Sequence, residues 1–311
     1  MPSLLIIVGF SFLILPGLSR SISPRIDPRR WTLLCVFALG AGLVLVEIGL
    51  LALVATSFVA NDHRGCSSDC TVMMARAAPG GIFLGWTALC IAAGVAIFAI
   101  RTMVEIRRTR AMTRVESFVG HHSKLGQHEL IVLDTPLPVA VSVTGNPGQV
   151  LISEGLLGSL EEVEITAILR HEQAHLDYSH HRYLALASAV EGAFARFALI
   201  RNSADALRLG IERWADEMAA SNLTDGRTHV RSALLQTTGI RVEPALAGFS
   251  AADTIVERLE ALEAPLPNPS LGLRGLLYTP GILLELIAVM ATSVWVSQLH
   301  LLLLMVDHCH L

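Results

Sequence analysis

Charge is scarce in this sequence of 311 residues: Asp, Glu, Lys and Arg make up only 16% of it. A soluble domain carries about 25%, so the composition is not that of an ordinary soluble protein. Apolar residues stand at 52% and mean hydropathy at +0.56. That is the balance of long apolar segments joined to a more ordinary globular part. Net charge is lacking too: at −4 it gives no ground for a nucleic-acid partner. Cysteine is sparse. Cys35 and Cys90 lie inside apolar runs and read as small buried hydrophobes. Cys66 and Cys70 share a polar loop, where their pairing stays open, and Cys309 lies near the C-terminus. No second CxxC pair or cysteine–histidine spacing of a structural zinc site accompanies them. The stretch 101–272 contains no cysteine, so it needs no oxidising compartment. Internal repeats are missing as well, which leaves a transporter reading thin.

A bilayer core needs about 20 consecutive apolar residues in a helix. Residues 31–59, 80–100 and 275–306 meet that requirement. Residues 3–18 form a shorter apolar stretch, read here as a further span. No positive residue precedes it and no small-residue cleavage site follows, as a signal peptide would require. Arginine sets the orientation. Arg20, Arg25, Arg29 and Arg30 follow the first span, and Arg101, Arg107, Arg108, Arg110 and Arg114 follow the third. The positive-inside rule puts both stretches in the cytoplasm, with 101–272 as one cytoplasmic domain between the third and fourth spans. Glu47 and Glu285 fall inside apolar spans and are expected to face protein or water.

Within 101–272, Glu129–Asp134 and Val139–Val143 read as strands. Thr144-Gly-Asn-Pro-Gly148 is a turn signal before Gln149–Ser153, which predicts a hairpin. Ser159 and Glu162 form a capping-box pattern that starts a helix near Leu160. That helix carries His171-Glu172-Gln173-Ala174-His175. Histidines four apart project from one helical face, and both can reach one Zn²⁺ at about 2.0–2.1 Å. The adjacent Glu172 then reaches the attacking water, giving two ligands and a general base. A later helix, 204–222, holds Glu212 and Asp216 on one face. A His₂Glu site needs one of them as third ligand, and the other can fix a histidine tautomer. Spacing alone permits either assignment. Residues 183–200 are apolar too, but a crossing there would separate Glu212 from His175, so they read as a core or interfacial helix.

Three segments in order, Val150-Leu-Ile-Ser-Glu-Gly-Leu-Leu157, Ile168-Leu-Arg-His-Glu-Gln-Ala-His-Leu176 and Glu212-Arg-Trp-Ala-Asp216, resemble the membrane gluzincins. The relatives are the HtpX and CAAX prenyl protease group and, in architecture, the BlaR/MecR-type antirepressor metallopeptidases. The resemblance implies a mainly α, four-span helical membrane protein with a cytoplasmic α+β zincin-like domain and a small sheet. It implies one zinc held by His171, His175 and Glu212, Glu172 as base, and Asp216 behind a ligand histidine. Val139, Ala140, Val141, Ser142 and Val143 would be the edge strand that receives an extended peptide. The CAAX-type His-Pro pair is replaced by Phe249-Ser250-Ala251, leaving Arg258, Tyr178, His180 and His181 as alternative oxyanion stabilisers. His180 and His181 are also the alternative places for a third ligand. No penicillin-binding sensor follows the last span, against a beta-lactam receptor. The expected substrate is a peptide or protein, either a membrane protein or a soluble repressor. A non-catalytic membrane scaffold retaining the fold is the alternative.

Overall fold

The computed structural model describes residues 2–61, 81–116, 121–221, 223–241 and 249–265. They fall into two compact units. One draws on the described residues within 1–15 and 37–100, the other on those within 16–36 and 101–267.

The described part of the first unit is helical. It contains most of α1 (Pro2–Leu18), α2 (Pro28–Asn61) and the apolar part of α3 (Gly81–Glu116). Helices α1 and α2 approach closely because glycine faces glycine: a Cβ on Gly9 would lie 2.9 Å from the Gly42 carbonyl oxygen, and one on Gly42 equally near that of Gly9. Small residues that let backbones meet are how helices associate where lipid supplies no hydrophobic drive. Leu5, Phe12, Ala38 and Leu45 form the core beside them. Among the described residues two helices are long and apolar enough to cross a membrane, Pro28–Phe58 and Gly81–Thr102; Pro2–Leu18 is a shorter apolar helix. The expected span 275–306 lies outside the described residues, as do Cys66, Cys70, Cys309 and Glu285. Cys35 is buried as expected. Cys90 is not: it is exposed on α3, where Phe83, Ile97 and Ile100 are exposed as well.

The second unit begins with a four-stranded sheet, β1 (His121–Leu125), β2 (His128–Leu133), β3 (Ala140–Val143) and β4 (Gln149–Ser153). The spatial order is β1-β2-β4-β3. The hairpin expected between 139–143 and 149–153 forms, with Val141 opposite Leu151. β2 joins β4 in parallel, with Ile131 opposite Leu151. β1 was not foreseen; its residues His121, His122, Ser123 and Lys124 are exposed and carry no apolar alternation. Ile131, Val143 and Leu151 form the buried cluster of the sheet, leaving β3 as an edge strand.

Among the described residues, α4 (Glu154–Leu157) is followed by α5 (Glu162–Asp177), α6 (His180–Ala193), α7 (Ala198–Ala220), α8 (Gly226–Arg241) and α9 (Phe249–Glu263). The capping box of α5 lies two residues later than expected. Glu161 is the N-cap and Glu164 reaches back to its N–H at 3.0 Å. Ser159 instead donates to the Leu156 carbonyl at 2.9 Å, closing the turn after α4. The apolar segment 183–200 is not one helix: α6 ends at Ala193, Phe194 is its C-cap, and α7 starts at Ala198. That start is six residues before the one expected. α7 is the central helix, buried along most of its length from Ile200 through Leu207, Ile211 and Ala215 to Ala219. Ala167, Ala219, Val230 and Leu262 join α5, α7, α8 and α9 in one core. Arg227 clamps the last three, donating to Glu217 at 2.6 Å and to the Ala261 carbonyl at 2.9 Å.

The segment between α1 and α2 belongs to this second unit. It makes a 3-10 turn over Arg20–Arg25. Arg213 of α7 donates to the Ser23 carbonyl at 2.9 Å and to Ser23 Oγ at 2.8 Å, all of it buried. Arg20 pairs with Glu257 of α9, and Trp31 donates to the Ala206 carbonyl at 3.3 Å.

Candidate active site

The α5 helix presents His171 and His175 on one face because four residues make about one turn. Their Nε2 atoms stand 3.1 Å apart. α7 crosses α5 and brings Glu212 to them: its carboxylate lies 3.5 Å from His171 Nε2 and 3.7 Å from His175 Nε2. These three residues form the only such potential metal-binding group among the described residues. Tetrahedral zinc with bonds of about 2.0–2.1 Å would hold its ligand atoms about 3.3 Å apart. The observed separations lie on both sides of that value, and two imidazoles with a carboxylate are a zinc donor set. The residues fit the ion.

Asp216 stands one turn beyond Glu212. Its Oδ1 lies 3.0 Å from His171 Nδ1, and Arg258 of α9 donates to both of its oxygens, at 2.8 and 2.7 Å. The same guanidinium is 3.0 Å from Glu212. Behind His175, the Nδ1 of fully buried His180 is 3.1 Å from His175 Nδ1.

These contacts set the protonation pattern. Burial alone would lower the pKa of His171, but hydrogen bonds to Asp216 and Glu212 outweigh it and raise the value to about 10. Burial depresses His175, and it takes His180 down to about 3. For both carboxylates burial acts upward, yet the Arg258 charge and the His171 hydrogen bond hold Glu212 and Asp216 below their ordinary values. Arg258 is buried too, and the two carboxylates lift its pKa above the usual guanidinium value.

A cavity of about 150 Å³ opens onto this cluster. His171, Glu172, Glu212, Asp216 and Arg258 supply its polar wall. Ala140 and Pro138 flank it from the β3 side, and Val230, Ala233 and Leu234 from α8. Of the four alternative oxyanion stabilisers, Arg258 alone lines this cavity. Tyr178 lines a separate surface hollow with Arg170 and Gln173 and packs on Trp214. His180 is sealed behind His175, and His181 follows it on the first turn of α6. Val139 adjoins β3 and exchanges hydrogen bonds with Ser153: its N–H donates to Ser153 Oγ, and its carbonyl accepts from the Ser153 N–H, each at 2.9 Å.

Residues 110–243 match the model of Peptidase family M48. No curated protein and no solved structure gives a significant match to the chain. The matched region covers a little under half of the chain. It contains His171, Glu172, His175, Glu212 and Asp216, and supports an M48 metallopeptidase. The M48 match stops short of α9, which supplies Arg258. Sequence reasoning missed the α8 wall of the cavity. Val230, Ala233 and Leu234 recur at three and four residues, the spacing of one helical face, and that signal was there to be read.

Proposed function

We propose that this chain is an integral-membrane zinc metalloendopeptidase that hydrolyses peptide bonds at the cytoplasmic face. The observation that carries the reading is the convergence of His171, His175 and Glu212 beside Glu172 in a cavity flanked by an edge strand. His171 and His175 through Nε2, with a Glu212 oxygen, would hold one zinc ion. Bound there, zinc would supply a Lewis acid for the scissile carbonyl and lower the pKa of water toward about 7. Glu172 takes the proton of the attacking water and delivers it to the departing amine nitrogen. Asp216 holds His171 in the tautomer that leaves Nε2 free, and Arg258 holds Asp216 and Glu212 in place. An extended peptide would lie along β3, pairing with backbone rather than side chains, which gives broad sequence tolerance.

Two observations support membrane anchorage and orientation. α2 and α3 have spanning length and apolarity. The arginine-rich segment after α1 packs in the same compact unit as the residues after α3, so both belong on one side of a bilayer. That side is the cytoplasm by the arginine count. Four spans, the last at 275–306, complete the proposed topology. Apolar helices ahead of the three quoted segments favour the BlaR/MecR-type group. The substrate is then a membrane protein or a soluble repressor.

The test is a comparison of protein N-termini in cells carrying wild type or Glu172→Gln. Peptides cut only in the wild type are expected, with zinc retained in the variant. Identical cleavage in both, or full zinc occupancy in a His171→Ala/His175→Ala protein, would reject the reading.

A further inference from the structure

We infer that His180 is the positioning residue of the second zinc-binding histidine: its Nδ1 accepts the Nδ1–H of His175 and fixes the tautomer that turns His175 Nε2 toward the metal. This rests on the proposed zinc site. The two candidate ligand histidines each present Nε2 to the cluster, so each must carry its proton on Nδ1 and needs an acceptor there. For His171 the acceptor is Asp216, at 3.0 Å. For His175 the atom at hydrogen-bond distance is His180 Nδ1, at 3.1 Å.

The backbone is shaped to put it there. Helix α5 ends at Asp177, and Ser179 adopts φ 54, a left-handed conformation uncommon for a non-glycine residue. This break separates the two helices by two residues and opens α6 with His180, which lies behind His175. The imidazole is fully buried. Trp214 closes one side, with ring centroids 4.7 Å apart, and the Tyr178 ring stacks at 6.0 Å. With its Nδ1 accepting, the remaining proton of His180 sits on Nε2. That atom is buried without a hydrogen-bond partner. An unpaired buried donor is a cost that pure packing would avoid with a hydrocarbon side chain. The nitrogen that is used faces His175.

The arrangement makes the two ligands unequal. His171 is backed by a carboxylate, which raises its basicity; His175 is backed by a neutral ring, which orients it without adding charge.

The experiment compares His180→Asn and His180→Leu in the full-length, detergent-solubilised protein. The two side chains are nearly isosteric, but only the amide offers an acceptor close to the position of Nδ1. Zinc is removed and titrated back against a chromogenic chelator, and the cobalt-loaded absorption spectrum is recorded. Zinc affinity is expected to fall about 10–100-fold in H180L, as loss of an outer hydrogen bond to a ligand does, and to recover most of that in H180N. The cobalt bands should move in H180L and return in H180N. Equal affinity in H180L and wild type would overturn the inference, as would H180N being as weak as H180L, which would reduce His180 to packing. Should H180L fail to fold, His180→Phe, a ring without nitrogen, takes its place. A wild type that binds no zinc would instead reject the zinc site itself.

Discussion

Asp216 Oδ1 lies 3.0 Å from His171 Nδ1, the ring nitrogen that does not face the Glu212 carboxylate. Glu212, one turn earlier on the same helix, faces Nε2 of both histidines. Spacing in the sequence permits either acid as the third ligand; the distances divide the work. Glu212→Gln should therefore lose more zinc affinity than Asp216→Asn at the same pH, because removal of a ligand opens a coordination position. Loss of the outer acid should cost about 10–100-fold. Equilibrium zinc titration of both variants, after a check that each folds, measures the difference. Zinc lost from Asp216→Asn but kept by Glu212→Gln would reverse the two roles.

How much of this was legible beforehand follows from what each feature depends on. The His171–His175 pair is local, set by helical periodicity, and so was readable. The β3–β4 hairpin was readable from a turn signal between branched residues. The start of α5 was displaced because a second capping pair, Glu161 with Glu164, lies two residues beyond Ser159 and Glu162 and is the one that forms, while Ser159 closes the turn after α4. β1 carries four polar exposed residues and gains its place from pairing with β2 alone. The buried bond from Arg213 to Ser23 spans 190 residues of sequence, a distance over which no local pattern speaks.

Zinc uptake should release at least one proton per chain at pH 7, that of His171, with a further fraction from zinc-bound water whose pKa falls toward about 7. In the metal-free chain the pKa of His171 is raised to about 10 by its acceptors Asp216 and Glu212, so the ring is protonated at neutral pH and zinc must displace that proton. His175 is held neutral and both acids are held ionised, so they release none. The sign follows: affinity rises with pH up to the His171 pKa and falls about tenfold per unit below it. Calorimetric titration in buffers of different ionisation enthalpy counts the protons. A buffer-independent heat at pH 7 would contradict the His171 assignment.

The segment between α1 and α2 should stabilise the unit that carries the site. Arg213 is 6% exposed and Ser23 1% exposed, and two hydrogen bonds join them. Arg213→Met removes both bonds and leaves the Ser23 carbonyl buried without that donor. The Ser23 carbonyl keeps the Ile26 N–H, at 3.1 Å, so the expected loss is that of hydrogen bonds to a charged group, about 1.5–3 kcal/mol. Ser23→Ala removes only the Oγ bond and should cost less, about 1 kcal/mol. Unfolding of the detergent-solubilised protein in denaturant reads both. An Arg213→Met protein as stable as wild type would show that the segment is merely lying against α7.

The proposed substrate strand makes a prediction that separates binding from folding. Hydrogen-bonded pairs alternate along an antiparallel ladder. Val139 bonds to Ser153, so Val141 and Val143, two and four residues on, are the positions whose backbone groups point into β4. Ala140 and Ser142 then direct their N–H and C=O groups to the free edge, and Ala140 also lines the cavity beside His171 and Glu172. Proline is tolerated in an edge strand where the missing N–H faces outward, and not where it breaks the ladder. Ser142→Pro should leave zinc binding and thermal stability close to wild type while raising KM for a peptide substrate. Loss of one or two backbone hydrogen bonds corresponds to about a five- to fiftyfold change. Val141→Pro, by contrast, removes an internal bond of the sheet and should lower stability first. Cleavage kinetics and a melting curve on the same three proteins decide it. If Ser142→Pro cleaves with unchanged KM and Val141→Pro is the one that loses substrate without losing stability, the peptide does not lie along β3.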